Sequence, residues 1–343
     1  MNTDRFTPRL LMTVVAAVLI LAALAYLPQY YGESQTKLYA EAIYIAIAAL
    51  GLNLLTGYSG QVSIGHGAFY GLGAYGTAIL MFDHDWNFFA TLPVVAVLTF
   101  VVGAAVGFPA LRLSGMYLAL ITLGLATLFP DLVTRFVKGT GGTSLVQPRN
   151  RPVPPEWAES FASEPDQWWY YITLAIAVVM LVLLWNLVRG RFGRALLAVR
   201  DHEAAATTVG IDAARVKVSA FAISALYAGI AGSCSVLITG LANAGRVEVF
   251  QQSIFFLVAV VIGGTATVIG PVVGAFVVVF LDDWAGEVIA DKPVLSPAIF
   301  GIALILLMYV LPDGLVGGSR RAVAVLRRRF GSRAEPIAPP VPT

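Results

Sequence analysis

The chain has 343 residues, 58% hydrophobic and 12% charged, with 22 Lys and Arg against 20 Asp and Glu, and its mean hydropathy is +0.80. Soluble domains hold about half apolar and a quarter charged residues, so this composition excludes a soluble globular protein and places the chain in a bilayer. The net charge of +2 gives no sign of a nucleic-acid partner, since basic residues in membrane proteins mostly record topology. The single cysteine, Cys234, precludes a disulfide framework or a cysteine metal site built within this chain.

A helix needs about 20 mostly apolar residues to cross the hydrocarbon. Runs of that kind lie near 10–27, 38–55, 62–82, 90–108, 113–136, 170–188, 217–241, 253–269, 271–289 and 297–311. The expected fold is an all-α integral membrane protein of about ten transmembrane helices, with the transmembrane domain over 1–319. Arg5, Arg9 and Ala23-Leu24-Ala25 also give the first run the look of a signal peptide, but alanine-rich membrane helices produce A-x-A readily, and a retained span is preferred.

Gly57, Gly60, Gly65, Gly67, Gly71, Gly73 and Gly76 crowd the third run and its entry. Such spacing lets helices pack backbone to backbone or break within the membrane. Two readings stand: Ser59, Gly60, Gln61, Ser63, Gly65 and His66 lie at the cytoplasmic opening of a translocation pathway, or they are turn and packing residues. Residues 137–169 form the one sizeable loop, irregular because of Pro148, Pro152, Pro154, Pro155 and Pro165, and ending in an interfacial aromatic anchor, Trp168-Trp169-Tyr170-Tyr171.

Residues 189–217 form a basic polar island between two apolar runs. Asp201 is suited to cap a helix over 202–209, Glu203 to favour its positive end, and Gly210 to close it in the left-handed conformation. The middle, Ala204 to Thr208, carries small side chains, so another protein can approach the backbone closely; a helix floating on lipid headgroups would show bulky apolar residues. Asp212 is placed to cap the next helix. The eighth and ninth runs divide at Gly270-Pro271, where proline removes a helix hydrogen bond, one kinked helix being the alternative. Residues 320–343 form a basic, then proline-rich cytoplasmic tail.

Ten spans with both termini cytoplasmic place 15 of the 22 basic residues inside, including the island and the arginine-rich tail. An odd number of spans would strand one of these two on the wrong face. Glu41, His66, Asp131, Asp282, Asp283 and Glu287 fall in or near apolar runs. In an ion-coupled transporter they would be coupling sites, but most lie within a turn or two of a predicted end, where water or capping satisfies them.

None of Lys37, Lys138, Lys217 and Lys292 follows a glycine, so the chain has no P-loop and binds no ATP by that route. Gly57-Tyr58-Ser59-Gly60 matches the G-x-S-G of rhomboid-like proteases, but His66, His84 and His202 are the only histidines, and none lies in a span after the island to serve as base. No catalytic residue, metal site or cofactor is expected.

The pattern Gly193-Arg194-Ala195, Arg200-Asp201, Glu203, Ala205-Ala206, Gly210-Ile211 resembles the coupling loop of ABC importer permeases of the branched-chain amino-acid subfamily. Asn53-Leu54-Leu55-Thr56-Gly57-Tyr58-Ser59 with Gly60 to Phe69, Leu111 to Ala119, Thr140-Gly141-Gly142-Thr143, Gly263-Gly264, Gly270 to Ala275 and Pro312 to Leu315 follow in family order over roughly 38–317. The resemblance implies a permease subunit of an ATP-driven importer for branched-chain or related amino acids, or for urea and short amides, in the bacterial inner membrane. It implies as partners ABC ATPase subunits, a second homologous permease, a periplasmic substrate-binding protein and the surrounding lipid. It assigns ATPase coupling to Arg200, Asp201, Glu203, Ala205, Ala206 and Gly210, and the pathway to the residues around Ser59 together with Gly263, Gly264, Gly270 and Pro271. The sequence departs from the family at Thr265-Ala266-Thr267, where a glycine and threonine are usual, and at Leu145, which leaves the substrate open.

Overall fold

A computed structural model describes residues 22–110, 116–136, 151–158, 161–162, 164–242, 246–288, 295–310 and 314–318. The tail and the Thr140–Thr143 motif lie outside them. The described residues are all-α: α1 (22–30), α2 (Glu33–Asn53), α3 (His66–Asp83), α4 (Phe88–Ala110), α5 (Met116–Phe136), α6 (Pro165–Arg189), α7 (Arg191–Asp201), α8 (Glu203–Thr208), α9 (Ala213–Thr239), α10 (Arg246–Gly263), α11 (Gly270–Val288) and α12 (Ser296–Val310). Among the described residues, six stretches are long and apolar enough to cross a bilayer: Glu33–Tyr58, Phe88–Pro109, Tyr117–Arg135, Pro165–Arg189, Ala213–Thr239 and Pro297–Gly318. The predicted runs 62–82, 253–269 and 271–289 are occupied by α3, α10 and α11. The first two of these have only 18 residues each, and α11 carries Asp282, Asp283 and Glu287. Gly270 and Pro271 open α11, where proline's missing N–H costs nothing. Because α10 already ends at Gly263, the single kinked helix is ruled out.

Helices α2 and α9 are buried almost all round, while α4, α6 and α12 are mostly exposed at the bundle's outer face. Lipid tails are as apolar as leucine, so burying leucine against protein drives little; close backbone approach and interhelical hydrogen bonds decide the packing. The sequence supplies both along α9, which packs against α2, α3 and α4. A Cβ on Gly73 would strike the backbone of Gly229, one on Gly232 the backbone of Tyr70 and Ala74, and one on Gly229 the side chain of Thr99 on α4. Thr77 Oγ1 donates to Ser233 Oγ at 2.7 Å, Ser224 Oγ to the Gly51 carbonyl at 2.7 Å, and Tyr227 Oη to the Met180 carbonyl at 2.8 Å.

At the end of the bundle far from the polar island, the aromatic run at the start of α6 faces protein, which corrects its reading as an interfacial anchor. Tyr170 is fully buried and Trp169 nearly so. Tyr170 Oη donates to the Leu24 carbonyl at 2.8 Å, Tyr171 Oη to that of Ala25 at 2.9 Å, and Trp169 Nε1 to that of Pro152 at 2.8 Å. The polar tips therefore tie α1 and the segment after residue 150 to the bundle, instead of reaching for water.

Gly229→Val should destabilise the purified protein by about 1–3 kcal/mol, since an added Cβ would overlap Thr99 Cγ2 and Thr99 is fully buried. Gly124→Ala, with nothing within 4 Å of the added Cβ, should leave the thermal midpoint unchanged or raised. Thermal unfolding in detergent followed by tryptophan fluorescence checks both; equal loss in the two variants would contradict this packing.

Candidate functional site

The site is built on a break in α2, one of the two helices buried almost all round. After Asn53 the α-helix of α2 widens into a π turn over Leu54–Tyr58, closed by Ser59 N–H to the Leu54 carbonyl at 3.1 Å. A π turn inserts a residue into the helical repeat and leaves its carbonyls less regularly used. Gly60 then takes φ +73, the left-handed region glycine enters freely, and residues 59–65 run without helix until α3 begins at His66. Gly65 lies so close to the Thr122 backbone that a Cβ would overlap it, and Ile64 N–H donates to Thr122 Oγ1 at 3.1 Å. Ser63 and His66 are 0% and 1% exposed. His66 Nε2 lies 3.4 Å from Ser224 Oγ in the middle of α9, and its ring meets Phe256 edge-on. The end of the helix that holds His66 therefore lies inside the bundle, so His66 does not reach water as its place at a helix end suggests.

The polar island folds as α7, α8 and the start of α9. Its expected helix is present and ends as read: Gly210 has φ +86, with its N–H on the Thr207 carbonyl at 3.1 Å and that of Ile211 on the Ala206 carbonyl at 3.1 Å. Asp212 caps α9 by accepting from Arg215 N–H at 3.0 Å. The other end corrects the sequence reading. Helix α7 runs through Asp201, His202 becomes the N-cap of α8 without a side-chain bond, and the Asp201 carboxylate turns to Arg200, 2.9 Å away. The alanines divide by face. Ala204 and Ala205 are exposed, whereas Ala206 is buried against Val199 and Ala213.

Two links join this island to the break in α2. The Arg200 guanidinium donates through Nη1 to the Gly57 carbonyl at 2.8 Å, and its stem covers Gly60, where an added Cβ would lie 2.8 Å from Arg200 Cγ. Glu203 pairs with Lys217 at 2.6 Å, and the Lys217 carbonyl accepts from Gln61 Nε2 at 3.4 Å, which also donates to Ser59 Oγ at 2.7 Å. Arg200 and Glu203, placed by the sequence at a coupling surface, thus meet Gly60, Gln61 and Ser59, placed by it at a pathway.

The break extends to the link between α10 and α11. Gly57 packs on Ala266, and Asn53, 0% exposed, clamps that link with both ends of its amide. Asn53 Oδ1 accepts from Ala266 N–H at 2.9 Å and Nδ2 donates to the Thr267 carbonyl at 2.7 Å. Within the link, Thr267 Oγ1 donates to the Gly264 carbonyl at 2.7 Å and accepts from Gly270 N–H at 3.2 Å. Gly263 packs against the Gly270 carbonyl, and Gly264 meets Gly314. Gly263, Gly264, Gly270 and Pro271 are thereby explained as a close helix hairpin. Sequence reasoning missed Asn53, although a carboxamide inside an apolar run was the signal. Among the described residues no group of three or more His, Cys, Asp or Glu is placed to hold a metal ion.

Apolar helices around a broken, backbone-packed core, with one polar segment wired to the break, define a multi-pass membrane protein. The chain belongs to the family of branched-chain amino acid transport system permease components, whose model matches residues 36–308. It is 30% identical over 297 residues to the high-affinity branched-chain amino acid transport system permease protein LivM of Escherichia coli (strain K12), covering 81% of this chain and 68% of that protein. It is 25% identical over 288 residues to the corresponding LivH of the same organism, covering 79% and 91%. It is 24% identical over 292 residues to the autoinducer 2 import system permease protein LsrC of Photorhabdus luminescens, covering 79% and 83%. No solved structure matches the chain.

Asn53→Ala would leave the Ala266 N–H and the Thr267 carbonyl without their partner, at about 1–3 kcal/mol for each group. Lowered thermal stability should come with faster proteolysis at 264–269, read by mass spectrometry of the fragments. An unchanged cleavage pattern would show that the clamp does not hold this link.

Proposed function

We propose that the chain is a transmembrane permease subunit of an ATP-driven importer, in which residues 189–217 receive force from a separate ATPase. Substrate moves by alternating access at an interface with a second permease, after delivery by a periplasmic binding protein. The reading uses about ten spans in a bacterial inner membrane with both termini cytoplasmic. That topology puts the island and the basic tail on the ATPase side. The names carried by the relatives support branched-chain or related amino acids as cargo.

The observation that carries the reading is the bond from Arg200 to the Gly57 carbonyl. It makes the only sizeable polar segment among the described helices continuous with an interrupted core helix, so displacement of α7 and α8 acts directly on residues 53–65. Interrupted helices at the middle of a bundle are where many membrane transporters build the site around which their halves rock. The absence of a P-loop sequence supports a separate source of ATP. Of the candidate coupling residues, Ala205 and Glu203 face outward, and Arg200 and Ala206 face the bundle. The first pair is suited to docking and the second to transmission.

In proteoliposomes holding the chain with its neighbouring-gene ATPases and second permease, Arg200→Ala should retain ATP hydrolysis and lower uptake of radiolabelled L-leucine by about tenfold. Ala205→Trp should weaken copurification of the ATPase at unchanged thermal stability, whereas Ala206→Trp should lower stability itself, because its side chain is buried. Uptake by the chain alone, or reaction of A205C with an impermeant thiol reagent only from the periplasmic side, would overturn the proposal.

A further inference from the structure

A cavity of about 320 Å³ lies at the end of the bundle opposite the polar island, between α2, α3, α9 and α10. Its polar lining comes from Glu41, Tyr44, Tyr70, Ser235, Thr239 and Gln252. What these groups offer can be worked out from the bonds they already make. Ser235 Oγ spends its proton on the Gly232 carbonyl at 2.8 Å, and Thr239 Oγ1 spends its own on the Ser235 carbonyl at 2.8 Å. Tyr44 lies within hydrogen-bonding reach of both Glu41 and Tyr70, and Tyr70 within reach of Ser235. Gln252 Oε1 is buried and has no partner. Facing the space are the Glu41 carboxyl, the orphan Gln252 Oε1 and hydroxyl lone pairs as acceptors, beside the N–H groups of the Gln252 amide.

Among the described residues no lysine or arginine lines the cavity to balance these acceptors. Lys37, one turn before Glu41 on α2, is committed to Glu33 and Asp166. Asp282 and Asp283 lie on α11, which packs against α2. Leaving a buried acceptor unpartnered is unfavourable, so the lining is complementary to a ligand that brings donors and a positive charge. A bare cation would fill little of the space, since even a water takes only about 30 Å³. The volume instead falls at the lower end of small-molecule pockets, about 300–1,000 Å³. Leu241 and Val249 supply an apolar wall for the rest of the ligand.

We infer that this cavity binds the ammonium group of a small aliphatic primary amine, with Glu41 as counter-charge, Gln252 Oε1 as a second acceptor, and the aliphatic part against Leu241 and Val249. The inference rests on the permease reading in taking the amine to be that of the transported amino acid. It places a substrate contact on the side remote from the ATPase-facing loop, in residues that neither the glycine-rich break nor the α10–α11 link contains.

The test is binding of radiolabelled L-leucine to the full-length chain in lipid nanodiscs. Unlabelled 3-methylbutylamine, which keeps the amine and loses the carboxylate, should compete; 4-methylpentanoate, which keeps the carboxylate and loses the amine, should not. Glu41→Gln should weaken leucine binding about tenfold or more, Glu41→Asp should keep most of it, and Gln252→Leu should weaken it several-fold. Thermal midpoints taken alongside separate these losses from misfolding. If Glu41→Gln does not fold, Gln252→Leu and the competition pattern decide. Absence of leucine binding, competition by the carboxylate as good as by the amine, or displacement by sodium ion but not by the amine would each overturn the inference. ATP-dependent uptake by the assembled complex is measured independently, so the permease reading can survive failure of this site, and the site can survive failure of that reading.

Discussion

Inside a bilayer, a helix gains almost nothing by exchanging lipid for protein at an apolar side chain, so backbone proximity has to hold the helices together. In this chain that constraint centres on α9. Glycines at 229 and 232 let α3 and α4 come against it at distances no side chain would allow, and serine and threonine hydroxyls bond across the seams so created. Beside this tight seam the irregular backbone lies between Asn53 and His66 and in the α10–α11 link that Asn53 clamps.

That irregular stretch carries polar backbone groups into the bundle, and each one that is buried must find a partner within the protein. The structure meets the requirement with side chains from distant parts of the sequence. Arg200 arrives from the polar island, Thr122 from α5, and Asn53 turns from α2 toward the α10–α11 link. At Gly57, satisfying the backbone and wiring the island to the core are therefore the same bond. A polar segment that only connected two spans would have no reason to send a guanidinium into a neighbouring helix turn.

Much of this was legible in the sequence, for local reasons. Apolar runs mark helices because length and hydropathy suffice, and Gly210 and Asp212 mark helix ends because a left-handed cap and an N-cap depend on single residues. What depends on partners far along the chain was not legible. The aromatic run at 168–171 suits a lipid interface and a protein seam equally well, and only the proximity of Leu24, Ala25 and Pro152 decides for the seam. Asp201 has the chemistry of a cap, but α7 continues one residue further than the pattern suggests and hands the position to His202. The stretch near Ser59 was identifiable as irregular from its glycines, whereas the π turn before it has no sequence signature.

A helix that holds one surplus residue can pass it along its length, since each step trades one carbonyl partner for the next without unfolding the rest. In α2 the surplus sits at Leu54–Tyr58, and the carbonyl it presents is the one Arg200 grips. Sliding the bulge by a residue would leave the helix on either side in place and swing only the residue it passes round the axis, by about 100°, the angle between successive residues in a helix of 3.6 per turn; at Gly57 such a shift would turn the carbonyl away from the guanidinium. The position of the bulge in α2 and the seating of the α7–α8 arm are then a single coordinate, with the bulge acting as its escapement.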